Sequence, residues 1–340
     1  MLLLVIGLGI VFLLVLVEVS LVDGEVVRVL VELMLKGHIV GFDQEPEGGK
    51  IKAYVKSRED VRLYNLMSRI GEYDVEYVEV GDIRFLSSGV QNRRKFRPVR
   101  PGVSVGLWNW GTGTLSGVFR DGRGNIYLAS NAHVLVKDPT LCPYEVRDPG
   151  IIQPGVHDGG TLYDVVGRYY WHQPIVTVRR PISCCKVSKL VARVLNRISE
   201  LLGRRTRFAT YQAPVNFVDF AVAKPVVEFD VTPVGLDNLP SYDFVGVGFA
   251  GSSFVSAVIN VYNIMKFGYE PVGFKPVSVK RGDGVVKSGR TTGVTSGVVL
   301  SPSMILTVNL GGDLAMFVDV ILTSKLLEPG DSGSPVFLYS

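Results

Sequence analysis

The chain has 340 residues, a formal net charge of +4, 38 glycines, 18 prolines and three cysteines. This length is enough for two domains with a sizeable core. The mild charge gives no indication of nucleic-acid binding, and three cysteines are too few for a scaffold built on disulfides. Valine-rich runs between glycines and prolines predict many short strands joined by turns.

The first 22 residues are strongly apolar. An unbroken apolar run extends from Leu2 to Val17 and is followed by Glu18. Because roughly 17 apolar residues are the lower limit for crossing a bilayer, residues 1–22 are predicted to be a membrane anchor of unspecified orientation. A cleaved signal peptide is the alternative, although no Lys or Arg precedes the run and no clear cleavage site follows it. A buried core helix is the third interpretation.

Residues 24–86 have the pattern of a small α+β domain. A helix is predicted over EVVRVLVELMLK, and strands are predicted over HIVGF, KIKAYVK and DVEYVEVG. Between these strands, SREDVRLYNLMSRIG predicts a second helix with Ser57 as its N-cap and Asp60 in its first turn. Residues 87–101 are polar, basic and proline-containing, which is typical of a solvated linker.

Residues 102–340 are predicted to be mostly strands. The segment TLSGVFRDGRGNIYLASNAHVL predicts a hairpin with its turn from Asp121 to Asn125. A helical insertion is predicted near residues 186–207, where Leu190, Val194 and Ile198 share one face and basic residues lie beside them. That apolar face either covers the β-domain, with the charges in water, or lies on a membrane surface.

The three cysteines leave two interpretations open. Cys184 and Cys185 are adjacent, and Cys142 is distant in sequence. Buried thiols are one interpretation, and a disulfide from Cys142 to one of the adjacent pair is the other. No metal site is predicted, because no histidine or second cysteine pair stands at ligand spacing.

A glycine-rich motif lies in the third quarter of the chain. Gly246, Gly248 and Gly251 have the G-x-G-x-x-G spacing of a dinucleotide-binding loop, and SSFVSAVINVYNIMKF after them is a plausible helix. Such a loop requires a βαβ unit, whereas the surrounding segments are predicted to be antiparallel strands. No cofactor is therefore predicted.

The segment PGDSGSP near the C-terminus contains a candidate nucleophile, Ser332. Acyl transfer by serine needs an imidazole that takes the hydroxyl proton, a carboxylate that orients the imidazole, and N–H groups that face the developing oxyanion. Glycines on both sides allow the backbone to turn and expose its N–H groups. The N–H groups of Gly330 and Ser332 are therefore predicted to form an oxyanion hole.

His133 and Asp219 are the candidates for the other two roles. His133 follows a strand-like segment in YLASNAHVL, with small residues before it that would let the ring reach a cleft. Asp219 is an acid within the apolar segment NFVDFAVAKP, and a buried carboxylate needs a partner. The alternatives are a structural core histidine and an edge aspartate that faces solvent.

The order SNAHV, VDFAVA, KSGRTTG and GDSGSPV resembles the chymotrypsin-like (trypsin-like) serine proteases, in particular a prokaryotic branch. The resemblance covers about residues 37–340 and includes the small α+β domain. It implies a mostly β fold, with a double antiparallel β-barrel preceded by that domain. The apolar run of residues 1–22 adds an N-terminal apolar helix to this prediction. The resemblance also implies His133 as general base, Asp219 as its orienting acid and Ser332 as nucleophile.

By the same similarity Lys287, or else Arg290, would pair with Asp331 and support the oxyanion loop. The implied activity is that of a serine endopeptidase with a peptide or protein substrate. Its catalytic domain would lie outside the cytoplasm, anchored to a membrane or, alternatively, secreted. The oligomeric state is not predicted.

The sequence departs from this family after the nucleophile. Eight residues follow Ser332, where the family continues with strands that form the wall of the specificity pocket. Three explanations are open. The chain is a degenerate or truncated protease, or a partner supplies the strands, or the internal segment DFVGVGFAGSSFVSAVINVYNIMKFG takes their place. The alternative function is a non-catalytic protease-like barrel that binds peptides or proteins.

Overall fold

The computed structural model describes residues 24–43, 49–80, 92–147, 150–179, 184, 186–201, 214–238, 241 and 243–339. No helix within these ranges is long and apolar enough to cross a membrane. The predicted anchor, residues 1–22, lies outside them. Cys185 and residues 202–207 of the predicted insertion also lie outside the described residues.

The described chain is mainly β-structure with short helices. The helices are α1 (Gly24–Leu35), α2 (Arg58–Leu63), α3 (Ala132–Leu135), α4 (Lys186–Leu201) and α5 (Val261–Lys266). The strands of the first half are β1 (Gly41–Asp43), β2 (Lys50–Val55), β3 (Arg69–Ile70), β4 (Tyr73–Glu79), β5 (Ser104–Leu107), β6 (Thr112–Thr114), β7 (Gly117–Asp121), β8 (Ile126–Ser130), β9 (Gly150–Ile152) and β10 (Val165–His172). Those of the second half are β11 (Val215–Asn216), β12 (Ala221–Pro225), β13 (Asp243–Gly251), β14 (Val255–Asn260), β15 (Tyr269–Pro271), β16 (Lys275–Pro276), β17 (Gly284–Gly289), β18 (Gly293–Leu310), β19 (Asp313–Ser324) and β20 (Pro335–Leu338).

Local sequence signals account for the small N-terminal unit. Val27, Leu30 and Met34 recur at helical spacing in α1 and are buried against its strands. Ser57 caps α2 as predicted, accepting from the Glu59 N–H while the Asp60 carboxylate accepts from the Ser57 N–H at 3.0 Å. The helix ends at Leu63, shorter than predicted, because the chain turns there to form β3.

The sheet of this unit continues into the larger β-domain. β1 pairs with β2 on one side and with β18 on the other, with Phe42 opposite Ile305. Ile305, Met316 and Val318 share a buried core with α1. The residues on either side of the predicted boundary therefore pack as one sheet and one core.

The described part of the predicted linker packs on the β-domain. Val99 is fully buried and forms a parallel bridge with Phe229. The Asn92 side chain donates to the carbonyls of Gly102 and Gly289, both at 3.1 Å. These contacts fasten residues 92–101 to both halves of the β-domain.

The C-terminal half of the β-domain is a closed ring. Its strand order is β19-β14-β13-β20-β17-β18, and β18 pairs back onto β19. Every neighbouring pair in this ring is antiparallel. Closure leaves none of these six strands with an unpaired edge along the ring.

The N-terminal half is a second antiparallel sheet, in the order β15-β7-β8-β12-β10-β9-β5-β6. β6 and β7 are separated only by Leu115 and Ser116, so the order returns on itself and the sheet curls into a barrel-like layer. The prediction of a mostly β chain is confirmed, and in place of two complete barrels the two sheets form a closed ring and a half-barrel.

The glycine-rich motif lies in β13, within the closed ring. This position agrees with the rejection of a dinucleotide-binding loop. The plausible helix that follows it is wrong over residues 255–260, which form β14. Val258 pairs with Gly248 on one side and with Ile321 on the other, and the β-branched residues of this segment suit such pairing. Only Val261–Lys266 is helical, as α5.

Cys142 and Cys184 form a disulfide, so the disulfide interpretation holds for these two cysteines and the buried-thiol interpretation does not. Cys142 precedes a 3-10 turn at Pro143–Glu145, and Cys184 precedes α4. The bond therefore fastens the start of the helical insertion to the N-terminal half of the β-domain.

His172, at the end of β10, is buried and neutral. Its Nε2 lies 3.0 Å from the Leu141 carbonyl and its Nδ1 lies 2.6 Å from the Tyr169 hydroxyl. Burial lowers the pKa of His172 from 6.5 to about 4. The ring thus gains a proton in the unfolded chain at a higher pH than in the folded chain.

The unfolding free energy should therefore fall as the pH drops from 6.5 towards 4, by roughly 3 kcal/mol from this group. Gln at position 172 can keep both hydrogen bonds but cannot titrate. Chemical denaturation of the wild type and of His172→Gln at several pH values checks this. The variant should lose that part of the acid slope, and parallel curves would contradict the assignment.

Candidate active site

Asp219 is completely buried just before β12, where it faces the segment that carries His133. Its Oδ1 accepts from the N–H groups of Ala132 at 2.8 Å and His133 at 3.3 Å. Its Oδ2 contacts His133 Nδ1. Burial excludes the solvent-facing alternative for Asp219, and the contact orients the imidazole so that Nε2 is the nitrogen turned away from the carboxylate.

The position of His133 follows from the local sequence. Strand β8 ends at Ser130, and Asn131 caps the one-turn helix α3 while donating from Nδ2 to the Asp219 carbonyl at 2.8 Å. Val134 and Leu135 are buried beneath the turn. The His133 ring remains at the surface of this packing, with 14% of the side chain exposed.

The Ser332 loop is held against β6. Gly330 and Gly333 have φ values of +92° and +95°, which L side chains rarely adopt. Thr114 donates from its N–H to the Ser332 carbonyl at 2.8 Å and from Oγ1 to the Gly330 carbonyl at 2.9 Å. A Cβ at Gly333 would lie 2.1 Å from the Thr114 carbonyl oxygen, so this close approach requires glycine.

The same strand brings the histidine segment to the serine loop. A Cβ at Gly113 would lie 2.5 Å from Val134 Cγ2 and 2.8 Å from the Ser332 carbonyl oxygen. Gly113 is therefore the point at which α3 and the Ser332 loop both touch β6. His133 and Ser332, separated by 199 positions in sequence, lie on the two segments that meet there.

The predicted oxyanion donors are available in the loop. Neither the Gly330 N–H nor the Ser332 N–H has an acceptor among the residues that the structure describes. Their neighbours are engaged, since Asp331 N–H donates to the Glu328 carbonyl and Gly333 N–H donates to the Gly248 carbonyl. Two unengaged N–H groups on either side of Asp331 can donate to a bound anion.

Asp331 is fully buried and paired with Lys287. Lys287 Nζ lies 3.1 Å from Asp331 Oδ2, donates to the Gly293 carbonyl at 2.9 Å, and contacts Thr292 Oγ1. Asp331 also accepts from the Thr291 N–H at 2.8 Å and the Thr292 hydroxyl at 2.7 Å. Burial lowers the pKa of Lys287, while the charge of Asp331 opposes that shift.

Arg290 has a different partner from the one the alternative prediction gave it. Its guanidinium is bidentate on Asp158, with Nε to Oδ2 at 2.5 Å and Nη2 to Oδ1 at 2.8 Å. Asp158 also accepts from the Ser104 hydroxyl at 2.5 Å. Both charged side chains are almost fully buried. This ion pair joins the two halves of the β-domain. Arg290 is linked to the serine loop through Thr114, whose Oγ1 accepts from the Arg290 backbone N–H at 3.0 Å and donates to the Gly330 carbonyl.

We expect Asp158→Asn to destabilise the chain by roughly 3–5 kcal/mol, because it leaves the Arg290 charge buried and without its counter-ion. Arg93 Nε also lies 3.4 Å from Asp158 Oδ1, but 26% of its side chain is exposed, so water can solvate its charge. The double variant Asp158→Leu with Arg290→Met removes the buried pair and should recover most of that loss. Urea denaturation of both variants measures the difference. Equal losses in the two variants would show that charge pairing is not what holds the halves together.

The internal segment that follows Asp243 lies directly beside the nucleophile loop. Gly248 donates to the Ser334 carbonyl at 2.9 Å and accepts from the Gly333 N–H at 2.8 Å. The Ser332 hydroxyl donates to the Phe249 carbonyl at 3.3 Å. β13 therefore lies beside the Ser332 loop, and β14 is its next neighbour in the ring.

Several residues of the site were not found from the sequence. Thr114, Asp158, Thr292 and the Phe249 carbonyl make the contacts described above. Thr292 lies in KSGRTTG and Phe249 in the glycine-rich motif, but the sequence assigned a chemical role to none of the four. The only signal for Thr114 is its small polar character in the glycine-rich segment GTGTLSG. Within the described ranges, no group of three or more His, Cys, Asp or Glu side chains is arranged to hold a metal ion.

Comparison with known proteins gives little support beyond this geometry. No protein-family model matches the chain, and no curated protein matches it. Among solved structures, a glutamic acid-specific serine protease described as using a histidine triad in substrate binding is 14% identical, with a TM-score of 0.32, covering 71% of this chain and 92% of its own. A protease of Nocardiopsis has the same identity and TM-score, covering 71% of this chain and 91% of its own. At a TM-score of 0.32 these likenesses decide neither fold nor activity.

Proposed function

We propose that the chain is a trypsin-like serine endopeptidase that hydrolyses peptide bonds through an acyl-enzyme. The contact between His133 Nδ1 and the buried carboxylate of Asp219, on a segment that meets the Ser332 loop at Gly113, carries the proposal. A buried aspartate that accepts from two backbone N–H groups and fixes one imidazole nitrogen is the arrangement that general-base catalysis by histidine requires.

In the first half of the reaction, Ser332 Oγ attacks the carbonyl carbon of the scissile peptide bond and its proton passes to His133 Nε2. The Gly330 and Ser332 N–H groups stabilise the oxyanion of the tetrahedral intermediate. The C–N bond then breaks, and His133 returns the proton to the leaving amine. In the second half, water attacks the ester, its proton passes through His133 back to Ser332 Oγ, and the acid leaves.

Two features support the loop in this role. The buried Lys287–Asp331 pair fixes Asp331, so the N–H groups on either side of it stay oriented before substrate arrives. Strand β13 lies beside Ser332 and provides an extended backbone at the site. We assign to β13 and β14 the substrate-binding wall that the resembling family builds from strands after the nucleophile.

Peptide cleavage tests the proposal. A mixture of peptides should be cleaved by the wild type and left intact by Ser332→Ala. Ser116→Ala is the matched control, since Ser116 is also a buried serine and its hydroxyl has no partner among the described residues. Cleavage that survives in Ser332→Ala would overturn the proposal. Covalent labelling of Ser332 without any cleavage would favour the non-catalytic, peptide-binding barrel instead.

We further propose that residues 1–22 anchor this peptidase to a membrane with the β-domain outside the cytoplasm. The apolar run from Leu2 to Val17 supports this placement. Full-length chain should remain in the membrane fraction after alkaline extraction, and a chain that lacks residues 1–22 should be released. A mature protein that has lost those residues in the medium would support secretion and contradict anchoring.

A further inference from the structure

Helix α4 buries a polar face and exposes an apolar one, which is the reverse of an ordinary surface helix. The residues that it buries against the rest of the chain include the small polar Ser188 and Ser199. An apolar stripe normally faces the core of a soluble protein. The interpretation in which the apolar face of this helix covers the β-domain is therefore wrong for residues 186–201.

The apolar residues of α4 lie on its outward side. They recur at positions i, i+3, i+4, i+7, i+11 and i+14, which is one face of an α-helix, and 46–81% of each side chain is exposed. We call this surface the outer face of α4, and it consists of Val187, Leu190, Val191, Val194, Ile198 and Leu201.

One edge of the outer face is basic. Lys186, Arg193 and Arg197 follow one another at seven- and four-residue steps, which places them in a row beside the apolar residues. All three are exposed, and 80% of the Arg197 side chain is accessible. The single acidic residue of the helix, Glu200, pairs with Arg197 at 3.3 Å. The helix thus carries a net positive charge along its apolar face.

The helix is attached to the body of the protein at its first turn. The Cys142–Cys184 disulfide fixes the chain just before its first turn. Lys189 Nζ donates to the Tyr144 hydroxyl at 3.1 Å, and Lys186 Nζ lies 4.6 Å from the centre of the Tyr144 ring. These contacts attach the first turn of α4 beside Tyr144, with the outer face turned away from the β-domain.

We propose that the outer face of α4 lies in the interface of an anionic lipid bilayer. Apolar residues at helical spacing enter the boundary between headgroups and acyl chains, while adjacent Lys and Arg side chains meet anionic headgroups. A second copy of the chain is a poorer occupant, because pairing the same faces would bring the Arg193 and Arg197 rows of two helices together. Anionic lipid neutralises those charges.

This contact is separate from the anchor proposed for residues 1–22. An anchor fixes one end of the chain to the bilayer, whereas α4 would fix the orientation of the β-domain on its surface. Neither the anchor nor the contact of α4 with lipid depends on whether Ser332 is a working nucleophile. A local probe on the helix distinguishes α4 from the anchor, because an anchored chain with α4 in water would leave that probe unaffected.

The full-length Val194→Trp variant tests the inference. Its emission, after subtraction of the wild-type signal from the three native tryptophans, is followed with vesicles of phosphatidylcholine and phosphatidylglycerol that carry brominated acyl chains. We expect quenching that corresponds to a depth of roughly 5–10 Å. Vesicles of phosphatidylcholine alone should quench less, and added salt should reduce the effect with anionic vesicles.

Two further variants make the result specific. Adding Arg193→Gln and Arg197→Gln should weaken the quenching association roughly fivefold for each charge removed. Leu63→Trp is the matched control, since Leu63 is an exposed apolar residue on α2, whose first turn is acidic. It should not be quenched. A Val194→Trp variant that anionic vesicles leave unquenched would overturn the inference, as would a dimer in solution that Val194→Asp dissociates while lipid has no effect.

Discussion

Replacing Asp219 by Asn is expected to lower kcat for peptide hydrolysis by roughly 10⁴-fold. Asp219 Oδ1 accepts from the N–H groups of Ala132 and His133, so the amide oxygen of Asn would take that position. Its NH₂ group would then donate to His133 Nδ1 and leave the ring proton on Nε2. That tautomer cannot accept the proton of Ser332.

The comparison needs a control that changes the same chemical group elsewhere. Asp237→Asn alters an aspartate that pairs with Arg100 and is 56% exposed, and we expect kcat within twofold of the wild type. Circular dichroism should show both variants folded. A loss below tenfold in folded Asp219→Asn would mean that this carboxylate does not orient the base.

Replacing Lys287 by Met is the second change with a large expected effect. Lys287 is fully buried, and its removal leaves the Asp331 charge with neutral donors alone. Loss of one partner of a buried pair costs roughly 3–5 kcal/mol of unfolding free energy. Since the pair holds the N–H groups beside Asp331, we also expect kcat to fall by about 10²–10³-fold, the effect of losing an oxyanion donor.

Lys325→Met is the matched control, because Lys325 forms a half-exposed pair with Glu328 near the same loop. That pair should contribute at most about 1 kcal/mol. Denaturation midpoints and kcat are measured for both variants. If Lys287→Met were no more harmful than Lys325→Met, the buried pair could not be what holds the oxyanion loop.

The Lys287–Asp331 pair also predicts that the rate of peptide hydrolysis declines at alkaline pH. Burial places the pKa of Lys287 below its value in the unfolded chain, so the folded protein loses this proton first as the pH rises. Hydrolysis should then decline as the ion pair to Asp331 is lost.

Much of the local structure was predictable, because its causes lie within a few residues. The Ser57 cap of α2 and the turn between β7 and β8 follow from residues two to four positions apart, and the structure contains both. The order of motifs around His133, Asp219 and Ser332 also indicated which segments meet. Each of these signals is a short pattern with a known backbone or chemical requirement.

What could not be predicted depends on distant partners. The local pattern over residues 256–259 favours a helix, yet they pair on both sides with strands of a closed ring, and tertiary pairing outweighs local preference there. The partner of Arg290 is Asp158, 132 positions earlier. No local pattern indicates that distance, nor that β1 would join β18 across the predicted domain boundary.

The outer face of α4 shows a different limit of prediction from sequence. The 3.6-residue periodicity of its apolar positions is visible in the sequence, and it correctly indicates an amphipathic helix. Periodicity defines a face without saying in which direction that face points. Only the burial of Ser188 and Ser199, opposite the exposed Val194, settles the direction for this helix.

The proposed function requires that Ser332 is a nucleophile activated by His133 and Asp219. Its most direct test is the reaction of the folded full-length chain with a fluorophosphonate, followed by peptide mass mapping of the adduct. We predict one adduct per chain, on Ser332, absent from Ser332→Ala and formed far more slowly in Asp219→Asn. A folded wild-type chain that forms no adduct, or that carries it on another residue, would contradict the claim.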